Sequence, residues 1–183
     1  IDHGLQDSHY LDFLTESKTN HIVGTPRTFH KLLLNCRDQK RLLHHQRTIV
    51  GQGVLSPDLQ RAFSVMKVPV AHVYGLTENL WTVAMQDLEE VAKPGAMDPD
   101  EPPIGKGLVG VKYKVLDDQG DEIEGDGERT GVLAIAGPTV MSGYHEREKE
   151  TKMAIRGTWL YTTDMVRLQG QSEEAQITFV GRK

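Results

Sequence analysis

Five consecutive residues, Tyr74-Gly75-Leu76-Thr77-Glu78, put an aromatic ring, a flexible joint, a hydroxyl and a carboxylate into one short stretch. The ring offers a stacking face and Gly75 permits close backbone approach. Glu78 can hold a divalent cation through its oxygens. Together these groups suit a nucleotide and a metal. Three other stretches carry compatible chemistry. Gly51-Gln52-Gly53-Val54 offers small residues that leave room for a flat ring. Asp164, closing Trp159-Leu160-Tyr161-Thr162-Thr163-Asp164, offers a strand-end carboxylate suited to a ribose diol. Arg182, after a later strand, can reach a phosphate or sugar oxygen. The same residues also have a purely structural use, with Thr77 and Glu78 capping the next segment and Asp164 serving a turn.

The elements that must position these groups follow from the pattern. The apolar run 68–73 stops at Tyr74-Gly75, so it is expected to be a strand. It would deliver Thr77 and Glu78 to the carboxyl edge of a sheet, where open α/β sheets bind ligands. Upstream, residues 8–19 are expected to be helical, with Ser8 as cap and Tyr10, Leu11 and Leu14 on one face. His21-Ile22-Val23-Gly24 has the composition of a short strand. Pro26 restarts the chain, and Phe29, Leu32, Leu33 and Leu34 form the apolar face of a second helix. Residues 47–50 make the next strand, which breaks at Gly51-Gln52-Gly53. Ser56-Pro57-Asp58 starts a helix that runs to about Val65. Strands alternating with helices at this spacing predict a parallel sheet of crossover units.

Beyond about Asp87 the character changes. Residues 93–107 contain Pro94, Pro99, Pro102 and Pro103 and are expected to be an irregular connection. Strands are then expected at 109–116, 131–136, 139–141, 159–162, 165–168 and 177–180, with one helix around 147–155. The predicted fold class is α/β. A parallel-sheet first half, 1–92, precedes a β-rich second half, 93–183, forming a small distorted barrel or twisted sheet.

Composition narrows the function classes. The 183 residues are 38% hydrophobic with a net charge of -5, enough for a real core and a poor match to a nucleic-acid surface. No run is long enough to span a membrane. Cys36 is the only cysteine, so no intrachain disulfide forms and a reducing, cytoplasmic setting is expected. The chain begins at Ile1 and ends at Gly181-Arg182-Lys183, which suggests a piece of a longer protein.

Several motif matches carry no chemistry. Gly105-Lys106-Gly107-Leu108-Val109-Gly110 fits G-x-G-x-x-G, but a dinucleotide site needs a strand before it and a helix after it. Here a loop entering a strand is expected. The acidic cluster of Asp117, Asp118, Asp121, Glu122, Glu124, Asp126 and Glu128 lacks calcium-loop spacing and is expected to be a solvated hairpin. The histidines form no H-E-x-x-H, and His44-His45 point two ways from one helix. No G-x-S-x-G elbow supports a serine hydrolase.

Taken in order, the motifs resemble those of the adenylate-forming (AMP-binding) superfamily, which includes acyl-CoA synthetases, insect luciferases and peptide-synthetase adenylation domains. Tyr74-Gly75-Leu76-Thr77-Glu78 resembles its Y-G-x-T-E motif. Gly131-Val132-Leu133-Ala134-Ile135-Ala136-Gly137-Pro138-Thr139-Val140-Met141-Ser142-Gly143-Tyr144, continued by Glu150-Thr151, is similar to G-E-L-x-I-x-G-x-x-V-x-x-G-Y. The stretch from Trp159 to Asp164 resembles G-W-x-x-T-G-D, and Gly181-Arg182 resembles the start of the hinge motif. The wording around Tyr144 is nearest the acyl-CoA synthetase and luciferase branch.

The resemblance implies a two-step ligase. A carboxylic acid attacks the α-phosphate of ATP to give an acyl-adenylate, and a thiol such as CoA then takes the acyl group. Carried over by position, Gly51, Gln52 and Gly53 would border the adenine, with Tyr74, Gly75 and Leu76 against it. Thr77 would contact the phosphate and Glu78 would coordinate magnesium. Asp164 would bind the ribose hydroxyls, and Arg182 would add a ribose or phosphate contact. Leu80 and Trp81 are candidates for the acyl pocket, with a core role as the alternative for Trp81. The family's phosphate loop would precede this stretch, and its small lysine-bearing domain would follow Lys183, so the piece alone is expected to be inactive.

Four departures accompany the resemblance, one of them a long segment from Gln169 to Gln176 between Asp164 and Arg182. Gln52 stands where the family has a small residue, Thr163 replaces the glycine of T-G-D, and Gly107-Leu108-Val109-Gly110 lacks the prolines of G-x-P-x-P-G. The alternative reading is therefore a degenerate member that binds a nucleotide or partner without catalysis.

Overall fold

The computed structural model describes residues 7–35, 47–53, 55–66, 68–91, 103–123, 126–170 and 175–183. Cys36, His44, His45, Val54 and Glu124 lie outside them. The chain divides into two units, residues 1–72 with 87–100, and residues 73–86 with 101–183.

In the first unit, helices α1 (Asp7–Glu16), α2 (Pro26–Asn35) and α3 (Pro57–Val65) alternate with strands β1 (His21–Gly24), β2 (Arg47–Val50) and the start of β3 (Val70–Tyr74). The short α4 (Leu88–Val91) also belongs here. The three strands pair in parallel, His21 beside Arg47 and Thr48 beside Val70. That pairing requires crossover connections, and the intervening helices supply them. The start of α3 follows from its sequence. Ser56 is extended and its Oγ accepts from the Leu59 amide at 3.3 Å, while Pro57 occupies a position whose amide needs no partner.

Leu14, Ile22, Phe29, Leu32, Val50, Leu59 and Phe63 share one core, with Phe29 edge-on to Phe63 at 5.7 Å. Leu34 departs from the expected helical face and stands 73% exposed. Phe29, Leu32 and Leu33 repeat every three to four residues, and Leu34 falls one step beyond that stripe.

The second unit is antiparallel. Two residues of β3 pair with β4 (Ala84–Met85), and the path continues through β5 (Pro103–Gly107), β10 (Gln176–Arg182), β9 (Trp159–Gln169), β7 (Asp126–Ala136) and β6 (Lys112–Leu116). The two-residue β8 (Ile155–Arg156) pairs with β9, and α5 (Glu148–Ala154) precedes it. Among the described residues the path is open rather than closed into a barrel. Its core gathers Val83, Ile104, Val115, Leu133, Ile135, Val166 and Ile177 with the ring of Tyr74.

Four expectations are corrected here. The connection expected to be irregular over 93–107 ends in strand β5, so Gly105-Lys106-Gly107 is strand and the glycine pattern runs on into a turn, with no helix behind it. The strand expected at 109–116 begins only at Lys112, because Gly110 adopts φ +81° and Val109 is fully exposed. No strand forms at 139–141; residues 137–140 make a turn closed by the Val140 amide on the Gly137 carbonyl at 3.2 Å. The two strands expected over 159–168 are one continuous β9. The acidic hairpin is a turn as expected, with Asp117 Oδ1 accepting from the Gln119 and Asp121 amides, both at 2.9 Å.

Candidate functional site

Within the second unit, β3 delivers Tyr74 to a carboxylate from a distant strand. The Tyr74 hydroxyl donates to Asp164 Oδ2 at 2.5 Å, and Arg182 Nε donates to Asp164 Oδ1 at 3.1 Å. Asp164 sits in the middle of β9 and Arg182 is the last residue of β10. These placements correct the expected strand-end and post-strand positions. The register of β9 and β10 sets Arg182 directly opposite Asp164, so both side chains emerge on one face of the pair. Asp164 is 2% exposed, and its buried charge is compensated by the guanidinium. Burial, and then the hydrogen bond to Asp164, push the Tyr74 phenol far above its ordinary pKa of 10.0. Tyr74 is therefore a fixed donor at any physiological pH.

Past Tyr74 the chain doubles back tightly. The Val83 amide donates to the Tyr74 carbonyl at 2.7 Å and the Trp81 amide to the Leu76 carbonyl at 2.8 Å. Leu80 and Trp81 adopt φ +56° and +74°, both in the left-handed region. A side chain at Gly75 would strike the Trp81 carbonyl and the Thr82 amide, so only glycine fits this return. Fully buried Asn79 ties the turn, its Oδ1 accepting from the Leu76 amide at 2.8 Å. Its Nδ2 has no partner among the described residues. Leu80 is 77% exposed and Trp81 half-buried.

Thr77 and Glu78 lie in the short 3-10 turn Thr77–Asn79 that this return creates, with Thr77 exposed. Glu78 is gripped twice by the segment after β7. Its carbonyl accepts from the Met141 amide at 2.7 Å, and its Oε1 accepts from the Tyr144 hydroxyl at 2.8 Å. The bond to Glu78, ahead of burial, raises the Tyr144 pKa above the usual phenol value. Tyr144 is anchored in turn, its amide donating to Thr151 Oγ1 at 2.9 Å.

Asn79, Tyr144 and Thr151 went unassigned in the sequence. An asparagine three residues after Leu76 is a recognisable turn signal. Nothing in the spacing announces that Tyr144 meets Glu78, 66 residues away.

No group of three or more His, Cys, Asp or Glu side chains able to hold a metal occurs among the described residues. The single carboxylate of Glu78 fits a magnesium ion that brings its own phosphate and water ligands better than a resident metal.

Gly51, Gln52 and Gly53 belong to the first unit, just after β2. Gln52 is exposed at φ +59°, a conformation that costs a residue with a Cβ about 1–2 kcal/mol. The Gly53 carbonyl accepts from His72 Nε2 at 3.0 Å, so that nitrogen carries the proton. Burial holds the His72 pKa below its ordinary value. Thr163, in contrast, has no positive φ and lies exposed in β9, so its backbone makes no demand for glycine.

A profile of the family described as AMP-binding enzyme matches residues 2–145. The chain belongs to the AMP-binding enzyme family. The profile stops before Asp164 and Arg182, the two residues that meet at Tyr74 in the fold. Among curated relatives of this AMP-binding chain, 2-succinylbenzoate–CoA ligase of Geobacillus kaustophilus is 29% identical over 118 residues, 64% of this chain and 22% of that protein. A long-chain-fatty-acid–CoA ligase of Thermus thermophilus is 27% identical over 128 residues, 67% of this chain and 23% of that one. The chain therefore spans less than a quarter of the length of either relative. Among solved structures, O-succinylbenzoate coenzyme A synthetase of Bacillus subtilis in complex with AMP aligns with a TM-score of 0.76. That alignment covers 98% of this chain and 34% of that one at 22% identity, and it establishes the shared fold.

Proposed function

We propose that the whole protein is an AMP-forming acid–thiol ligase. It activates a small carboxylic acid with ATP as an acyl-adenylate and transfers the acyl group to a thiol, CoA in the preferred reading. The observation that carries this reading is the convergence of Tyr74 and Arg182 on buried Asp164, three residues from three strands brought together at a carboxylate suited to a diol. In this assignment Asp164 accepts from the ribose hydroxyls, and Arg182 adds a contact to ribose or phosphate. The Tyr74 ring, with Gly75 and Leu76, borders the base. Thr77 contacts the phosphate, and Glu78 holds the magnesium that accompanies ATP. The ion spreads the charge that develops on phosphate, while the chain's own donors fix the reactants in place. Relatives bearing CoA-ligase names support the reaction class.

Gln52 favours a second reading. Its left-handed backbone, at a position where the resemblance expects a small residue, fits a member that retains nucleotide binding and has lost catalysis. Pyrophosphate exchange into ATP, run on the full-length protein with a panel of carboxylic acids, separates the two. Exchange dependent on one class of acid supports the ligase. AMP binding with no exchange for any acid supports the non-catalytic member, and the absence of any AMP binding overturns both.

A further inference from the structure

We propose that Tyr144 is a positioning residue for the cation, holding the Glu78 carboxylate in the orientation that receives the metal. The proposal rests on the assignment of Glu78 as the magnesium ligand. A lone carboxylate on a partly exposed turn has several rotamers, and each one lost on metal binding weakens affinity. Here the carboxylate is already fixed. The Tyr144 hydroxyl takes Oε1 at 2.8 Å, and no described group bonds Oε2.

Tyr144 is itself held. Its amide donates to Thr151 Oγ1 at 2.9 Å, and that hydroxyl donates to the Arg147 carbonyl at 2.8 Å. The Arg147 amide returns to the Tyr144 carbonyl at 3.3 Å. Thr151 also packs against Gly143, where an added Cβ would lie 2.8 Å from its Cγ2. The first turn of α5 thus forms a small closed frame around Tyr144. The same segment grips the Glu78 backbone through Met141, so main chain and carboxylate are registered together. An ornamental surface bond has no such support behind the donor. Groups that orient a metal ligand by hydrogen bonding commonly change metal affinity by about 10–100-fold when removed. Tyr144 is 37% exposed, which places the expectation at the low end of that range.

The test uses the full-length protein with Mn2+ and the non-hydrolysable α,β-methylene-ATP, following bound Mn2+ by electron paramagnetic resonance. Glu78→Ala should abolish the nucleotide-dependent Mn2+ signal. Tyr144→Phe should weaken Mn2+ about tenfold while the affinity for AMP without metal stays at the wild-type value. Thr151→Val should weaken Mn2+ in the same direction, and Thr151→Ser should restore wild-type binding. A purely structural role would lower thermal stability and AMP affinity together and leave the Mn2+ dissociation constant unchanged. Loss of signal in Glu78→Ala with wild-type Mn2+ affinity in Tyr144→Phe overturns the role of Tyr144 and leaves that of Glu78 standing. Wild-type binding in Glu78→Ala overturns both assignments.

Discussion

Replacing Tyr74 with phenylalanine removes a single oxygen and keeps the ring that fills the second unit's core. No cavity opens, so the effect reports the hydrogen bond to Asp164 alone. Asp164 is 2% exposed, and water cannot readily take the place of the lost donor. Hydrogen bonds to a charged partner contribute about 1.5–3 kcal/mol. At about 2–4 °C of Tm per kcal/mol for a domain of this size, Tyr74→Phe should melt about 3–12 °C below wild type. Urea unfolding followed by circular dichroism should show a matching shift in midpoint with an unchanged slope. The decisive measurement is the double-mutant cycle with Asp164→Asn. Partners in contact couple by about 0.5–3 kcal/mol, so Tyr74→Phe should matter less once Asp164 is neutral. Strict additivity, or a Tm within about 1 °C of wild type, would refute the inferred bond.

Further outcomes follow from the same geometry. The folded-state pKa of Tyr74 lies above 10.0, so its contribution to stability is complete below pH 10 and is lost as pH rises beyond it. The loss amounts to about 1.4 kcal/mol per pH unit, and alkaline unfolding curves should be less steep for Tyr74→Phe than for wild type. The folded-state pKa of His72 lies below 6.5, so its contribution is present above pH 6.5 and declines as pH falls beneath that value. His72→Gln should narrow the stability difference between pH 7.5 and 5.5 in urea titrations; an unchanged difference would remove His72 as its source. Gly75→Ala forces a Cβ into the Trp81 carbonyl and should destabilise by about 1–3 kcal/mol, read as a lower Tm. Wild-type stability there would mean the return from Leu76 to Val83 is looser than described.

Much of this site could be read from one dimension because local rules govern it. The strand into Tyr74, the break at Gly75 and the cap at Ser56 each depend on residues within one or two turns of chain. The fold class followed from the switch between helical and alternating patterns. The failures have physical causes too. Asp164, expected at a strand end, and Arg182, expected after a strand, proved to be interior and terminal strand positions, because a polar residue in a strand looks like a turn until its cross-strand partner is known. Pro103 and three neighbouring prolines masked β5, a strand whose pairing with β10 is set by a segment some 70 residues later. Leu80, a candidate for the acyl pocket, sits in the left-handed return that fits Gly75 and stands exposed, a placement that no local pattern announces. Tyr144 was visible as a motif letter, but its bond to Glu78 is purely tertiary.

Ninety residues separate Tyr74 from Asp164, and Arg182 follows eighteen later. A growing polypeptide on the ribosome thus exposes its phenol donor well before either charged partner has been synthesised. Until β9 has emerged, that hydroxyl lacks the carboxylate it meets in the folded unit. Nascent chains that end before Asp164 therefore cannot form the Tyr74–Asp164 bond.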